Sequence, residues 1–218
     1  MEEYIVRVSR YKTEWFNKAN QLHRSDGPAI EYITGCKEWY QNGKLHRLDG
    51  PAYEGSDGTK SWYQKGKKHR LDGPAIEYSD GDKAWYQKGK LHRLDGPAFE
   101  DSNGDKEWYQ NGKRHREDGP AIECSDGTKA WYIDGKYHRL DGPAYEGNDG
   151  SKEWFQNGKY HRLDGPAYEG SDGTKEWYIE GVRYTEREFL EKTQPATELT
   201  VAEIAKRLGI NNLKIVKG

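Results

Sequence analysis

The stretch HRLDGPAYEGSDGTKSWYQKGKK, His46 to Lys68, is followed at once by a near-copy, HRLDGPAIEYSDGDKAWYQKGKL, His69 to Leu91. Its opening motif, His-Arg-x-Asp-Gly-Pro-Ala, starts at His23, His46, His69, His92, His115, His138 and His161, always 23 residues on. A strict period between 20 and 50 residues marks an array in which each unit buries apolar surface only against its neighbours. That regularity decides the fold class before any local reading is attempted.

Two turn signals punctuate each unit. One is Asp-Gly or Asn-Gly at 57–58, 80–81, 103–104, 126–127, 149–150 and 172–173; the other is Asn-Gly or its variants at 42–43, 111–112, 134–135 and 157–158. Both pairs tolerate positive φ, which tight hairpins require. The intervening runs, Lys60–Gln64 and Lys67–Glu77, read as short strands, the second broken at Asp-Gly-Pro because proline lacks an N–H for a central ladder. The expectation is mainly β: an elongated single-layer antiparallel sheet of about fourteen strands, two per unit, on the order of 65 Å long.

Stacked units place like residues in ladders. Tryptophan recurs at 39, 62, 85, 108, 131, 154 and 177, followed by tyrosine except at Phe155. Alternation puts the Trp and Tyr sets on opposite faces. Glu54 and Lys60 are set to pair across their hairpin, as are their equivalents. Apolar and charged residues each make up 33% of the chain, so the core has to be thin and aromatic.

The termini depart from the period. Residues 1–22 read as a degenerate half-repeat whose segment Tyr4–Phe16 is a capping strand. Residues 182–218 read as a helix-helix-strand cap. Thr185-x-x-Glu188 and Thr200-x-x-Glu203 are capping boxes for two short helices, Gly209 ends the second, and Leu213–Val216 is a final strand. The repeat domain spans 23–181.

A net charge of −2 provides no global field for nucleic acid or an anionic membrane. No apolar run has the length of a signal peptide or a membrane span, which predicts no membrane association. Cys36 and Cys124 lie almost four units apart, about 35 Å by strand spacing, too far for a disulfide. Thr200–Ile210 has the pattern of the first helix of a helix-turn-helix, but no recognition helix fits behind it, so DNA is not an expected partner.

The unit Asn-Gly-Lys-x-His … Asp-Gly-x-x-x-Trp, across residues 23–181, resembles the MORN (membrane occupation and recognition nexus) repeat and its bacterial variants. Here His-Arg-x-Asp-Gly-Pro-Ala stands where the standard repeat has a glycine-rich segment, so that family's phosphoinositide binding is not carried over. The blocks HRxDGPA and WYxNGK, with the tail GVRYTEREFLEKT…ELTVAEIAKRLG…KIVK, are similar to tandem-repeat proteins of tailed bacteriophages over almost the whole chain. That resemblance implies phage origin and a host bacterial cytoplasm, and brings no activity with it.

Seven identical histidine motifs argue against catalysis, because a catalytic centre is normally unique and set in a pocket. His92, Arg93, Asp95, Gly96 and Pro97 are therefore read as structural. Metal is excluded on spacing: histidines one unit apart sit roughly 10 Å from each other, whereas zinc holds its ligands within about 2.3 Å. No cofactor is expected.

The candidate binding residues are the mid-array aromatics, either Trp85, Trp108 and Trp131 or Tyr86, Tyr109 and Tyr132. The expected function is a non-enzymatic protein-protein interaction scaffold that binds and inhibits a host antiviral defence protein. The alternative is a multivalent sponge for a small nucleotide-like signal. A second copy of the chain is a further candidate partner.

Overall fold

The computed structural model describes residues 3–194 and 200–209. Seventeen strands form one antiparallel meander, and six two-stranded ladders lie beside it. Setting aside Ile5–Val8, Lys12–Phe16 and Val182–Tyr184, fourteen strands of the meander belong to the repeats.

The middle units each hold four strands rather than two. In the second unit these are Tyr53–Glu54, Lys60–Ser61, Tyr63–Gln64 and Lys67–Lys68. The first two join the meander; the last two close a separate hairpin. Trp62 makes the break. Its N–H donates to the Ala75 carbonyl at 2.8 Å and its carbonyl accepts the His69 N–H at 3.0 Å, so the tryptophan bonds to loops and not to a ladder. The small hairpins are in turn stitched to one another, as where Gly66 N–H donates to the Leu45 carbonyl at 2.8 Å.

The two turns of a unit differ in kind. In Gly55-Ser56-Asp57-Gly58 the last N–H donates back to the first carbonyl at 3.1 Å, and Gly58 alone is left-handed, at φ 93°. In the small hairpin both central residues are left-handed, Lys65 at 51° and Gly66 at 78°, the pairing whose twist suits a two-residue hairpin. Asparagine adopts this conformation readily at Asn42, Asn111 and Asn157; Lys65, Lys88 and Glu180 adopt it against their preference.

The core is a line of alanines flanked by half-buried rings. Ala29, Ala52, Ala75, Ala98, Ala121, Ala144 and Ala167 are fully buried. The Ala98 N–H donates to the Glu107 carbonyl and its own carbonyl accepts the Trp85 N–H, both at 2.8 Å. These bonds carry the chain through the Asp-Gly-Pro-Ala bend without leaving a buried amide unpaired.

On the hairpin side each tyrosine stands opposite the residue before the next histidine: Tyr40 with Leu45, Tyr63 with Lys68, Tyr109 with Arg114, Tyr132 with Tyr137. Toward the C-terminus the rings run on continuously, Tyr132–Tyr137–Phe155–Tyr160–Tyr178, at centroid steps of 4.2, 4.9, 4.1 and 5.0 Å.

Two expected pairings take another form. Glu54 and Lys60 are register partners, yet the Glu54 carboxylate turns to Arg47 at 3.2 Å and Lys60 remains exposed. The segment Tyr4–Phe16 is a hairpin and not one strand: Ile5–Val8 pairs with Lys12–Phe16. Ser9 creates the turn, its hydroxyl accepting the N–H groups of Tyr11 and Lys12. Lys12–Phe16 then pairs with Ile30–Tyr32 and joins the N-terminal segment to the array.

At the other end α1 (Glu186–Thr193) and α2 (Val201–Leu208) both start on complete capping boxes, from Thr185 and Thr200. Phe189 of α1 is buried, and the helix packs on Lys175–Ile179 and Val182–Tyr184. Gly209 closes α2 in the left-handed conformation. The expected strand Leu213–Val216 lies outside the described residues. Among those described, no helix is long and apolar enough to cross a membrane. Cys36 and Cys124 are free thiols.

Candidate functional site

The His-Arg-x-Asp-Gly-Pro loop is built around its arginine. Arg93 lays its guanidinium over the Trp85 ring, Cζ 4.2 Å from the centroid. Its Nε donates to Asp95 at 3.0 Å, and Nη1 donates to the Pro97 carbonyl at 3.2 Å and to Glu100 at 3.1 Å. The opposite face of the guanidinium rests on Gly96, where a Cβ would come within 2.9 Å of Cζ. Glycine is needed here for close approach and not for an unusual φ. The same sandwich occurs with Arg47 on Trp39, Arg70 on Trp62, Arg116 on Trp108, Arg139 on Trp131 and Arg162 on Trp154. Even Arg24 finds Trp15 of the degenerate half-repeat, at 4.2 Å.

The histidine serves the junction. His92 Nδ1 accepts the N–H of Asn111, at the left-handed turn of the following hairpin, at 3.1 Å. The bond repeats from His46 to Lys65 and on to Glu180, which donates to His161 at 3.2 Å. An imidazole accepting through Nδ1 carries its proton on Nε2. Each ring is therefore fixed as one tautomer and presents an N–H donor on its other side.

Successive loops enclose a cleft. Between the sixth and seventh it measures about 500 Å³, with Trp154 and Gln156 set between walls of Leu140–Asp141 and His161, Leu163 and Asp164. Equivalent clefts lie between the first and second loops, the fourth and fifth, and the fifth and sixth, at about 510, 640 and 630 Å³. The charges along the clefts are unequally accessible. The arginine side chains are roughly one-fifth exposed, while Asp72, Asp95, Asp118 and Asp141 are more than four-fifths exposed. The hydrogen bond from arginine holds these aspartates below the usual carboxylate range, so an incoming group meets anionic rims.

The loop position between arginine and aspartate is the least expected feature. Leu48, Leu71, Leu94 and Leu140 are each about three-quarters exposed and Leu163 more than half, all at the same place in successive loops. Glu117 interrupts the row at the fifth loop and Ser25 begins it. Isolated exposed leucines are ordinary; here five recur at one position of a repeated frame. The signal was present in the sequence, as an apolar residue held between two charged ones in five of seven copies.

The two candidate aromatic sets separate in role. Trp108 and Trp131 line clefts, as Trp39 and Trp154 do, while Trp85 is half-buried under Arg93. Tyr86, Tyr109 and Tyr132 pack inside the hairpin ladder, and burial raises the pKa of all three phenols. Among the described residues no group of three His, Cys, Asp or Glu side chains is placed to hold a metal ion. No protein-family model matches the chain, and no curated protein matches it.

Proposed function

We propose that the chain is a non-enzymatic scaffold that binds another protein along the row of loops. The observation that carries this is the ridge of exposed leucines at one loop position, Leu48, Leu71, Leu94, Leu140 and Leu163, on a frame locked by arginine and histidine. Burying a fully exposed leucine contributes roughly 1.5–3 kcal/mol, so several units have to engage together to offset the roughly 4–15 kcal/mol cost of association. The similarity of the motifs to tailed-phage repeats supports a bacterial host protein as the target, and a host defence protein as the one such a chain would inhibit.

The nucleotide sponge is the weaker reading. A phosphate site needs accessible cationic donors, and here each of the arginines 47, 70, 93, 116, 139 and 162 holds two carboxylates of its own unit.

The test is affinity capture from bacterial lysate with the wild-type chain and with Leu71→Ser/Leu94→Ser/Leu140→Ser, followed by mass spectrometry. One protein retained by the first and lost by the second, with melting unchanged, is the expected result. Retention by both, or by neither, removes the ridge as the binding surface.

A further inference from the structure

The clefts have a spacing, and the spacing selects the shape of what lies across them. Equivalent rings of successive units are joined through Tyr137 by steps of 4.2 and 4.9 Å, which sets an upper limit of about 9 Å between them, and two strand spacings give a repeat of about 9.6 Å. An extended strand returns the same face every second residue, about 6.8 Å, and falls out of register at once. An α-helix returns it every seventh residue, about 10.5 Å, and drifts by about an ångström per unit, whereas the drift has to stay well below that to hold step over several units. A polyproline II helix returns the same face every third residue, about 9.3 Å. Only the last stays in step along several clefts.

The chemistry of the clefts agrees with that geometry. Aromatic-lined grooves take proline rings well; each cleft has a tryptophan at its floor, with two ridge leucines beside Trp154 (Leu140 and Leu163) and one beside Trp39, Trp108 and Trp131. A polyproline II backbone has no internal hydrogen bonds, so its carbonyls need outside donors. His161 Nε2–H and the Gln156 amide supply donors in that cleft. The exposed aspartates place one carboxylate per unit along the rim, spaced for one cationic side chain per triplet.

We infer that the row of clefts binds a proline-rich segment in the polyproline II conformation, one triplet per repeat, with a lysine or arginine in each triplet facing the Asp72, Asp95 and Asp141 rim. This rests on the scaffold reading and names the class of partner segment.

The test uses the full chain and a fluorescently labelled peptide of six Arg-Pro-Pro triplets. Two controls accompany it: a peptide of identical composition with irregularly spaced arginines, and one of six Arg-Gly-Gly triplets, which lacks the polyproline II preference. Anisotropy titration is expected to show the regular peptide binding at least about tenfold more tightly than either control. The triple Leu→Ser variant is expected to lose about tenfold or more with its melting temperature unchanged. Asp72→Asn/Asp95→Asn/Asp141→Asn should weaken binding and flatten its salt dependence.

Equal affinity for the irregular peptide, or no binding of any peptide, overturns the assignment. Solution dimers abolished by the leucine substitutions, with no peptide bound, would assign the ridge to a second copy and also overturn it. Lysate capture that depends on the leucines can succeed while all three peptides fail. That combination removes the polyproline assignment and leaves the scaffold standing.

Discussion

His92 Nδ1 accepts the backbone N–H of Asn111 at 3.1 Å, so the histidine that opens one unit holds the turn that closes the hairpin of the same unit, nineteen residues on. The turn is left-handed at Asn111 and Gly112, and Gly112 N–H also donates to the Leu91 carbonyl at the end of the preceding unit. The imidazole thus braces the point where two units meet.

His92→Ala should lower stability by roughly 1 kcal/mol, since the freed amide is at the surface and water replaces the lost acceptor. Hydrogen exchange at Asn111 and Gly112 should accelerate more than in the other hairpins. An unchanged denaturation midpoint would show that the bond is incidental.

Gly96→Ala tests the arginine sandwich. The added methyl comes within 2.9 Å of Arg93 Cζ, and the guanidinium is held by Trp85, Asp95, Pro97 and Glu100 together. Displacing it should cost about 1–3 kcal/mol, the usual range for overpacking. In the second variant, Arg93→Ala/Gly96→Ala, the clash is gone, so the further loss caused by the alanine should largely disappear. A Gly96→Ala chain as stable as wild type would mean that the arginine moves aside freely.

Arg114→Tyr should be tolerated or stabilising by up to about 1.5 kcal/mol. Arg114 lies between Tyr109 and Tyr132, at 5.8 and 5.6 Å, and pairs with Glu107. Tyr160 occupies the same unit position, packs its ring at a tilt against Phe155 and hydrogen-bonds Glu153, so a tyrosine at 114 can reproduce both contacts with Tyr109 and Glu107. Marked destabilisation in a thermal melt would show that the ion pair outweighs the stacking.

Stability should fall at both extremes of pH. The aspartates beside arginine have folded pKa values below their unfolded ones. Their contribution is complete above the ordinary carboxylate value of about 3.9 and is lost as pH falls below it, through the folded values. The buried phenols at Tyr63, Tyr86 and Tyr109 are raised because burial penalises the phenolate. Their contribution is complete below about pH 10 and is lost as pH rises through the folded values. Urea midpoints across this range, with phenolate absorbance followed at the alkaline end, check both limbs. Phenolate forming at the ordinary pH without unfolding would contradict the ladder.

Much of the architecture could be read from local chemistry. The period, the turn glycines and the alternation of Trp and Tyr depend on residues near one another in sequence, and the fourteen-strand meander follows from them. The capping boxes at Thr185 and Thr200 are likewise legible, because the bonds they make stay within one helical turn. Four strands per unit were harder to see. Trp62 looks like a strand residue, and only its bonds to Ala75 and His69 take it out of the ladder.

The candidate site was half visible. The motif His-Arg-x-Asp-Gly-Pro-Ala reads as structural from its repetition alone, whereas the exposure of the leucine inside it depends on how the loop folds. By itself the sequence determined the repeat, its length, its turns and its ladders, because hairpin formation and stacking are short-range and each unit repeats them. The tertiary structure alone decided which side chains are spent. Arg93 is committed to Trp85, Gly96, Asp95 and Glu100, and the Tyr109 ring is packed beside Arg114, while Leu94 and Asp95 are left at the rim. That division depends on the loop folding back across the tryptophan of the preceding unit, a contact that period and composition do not encode.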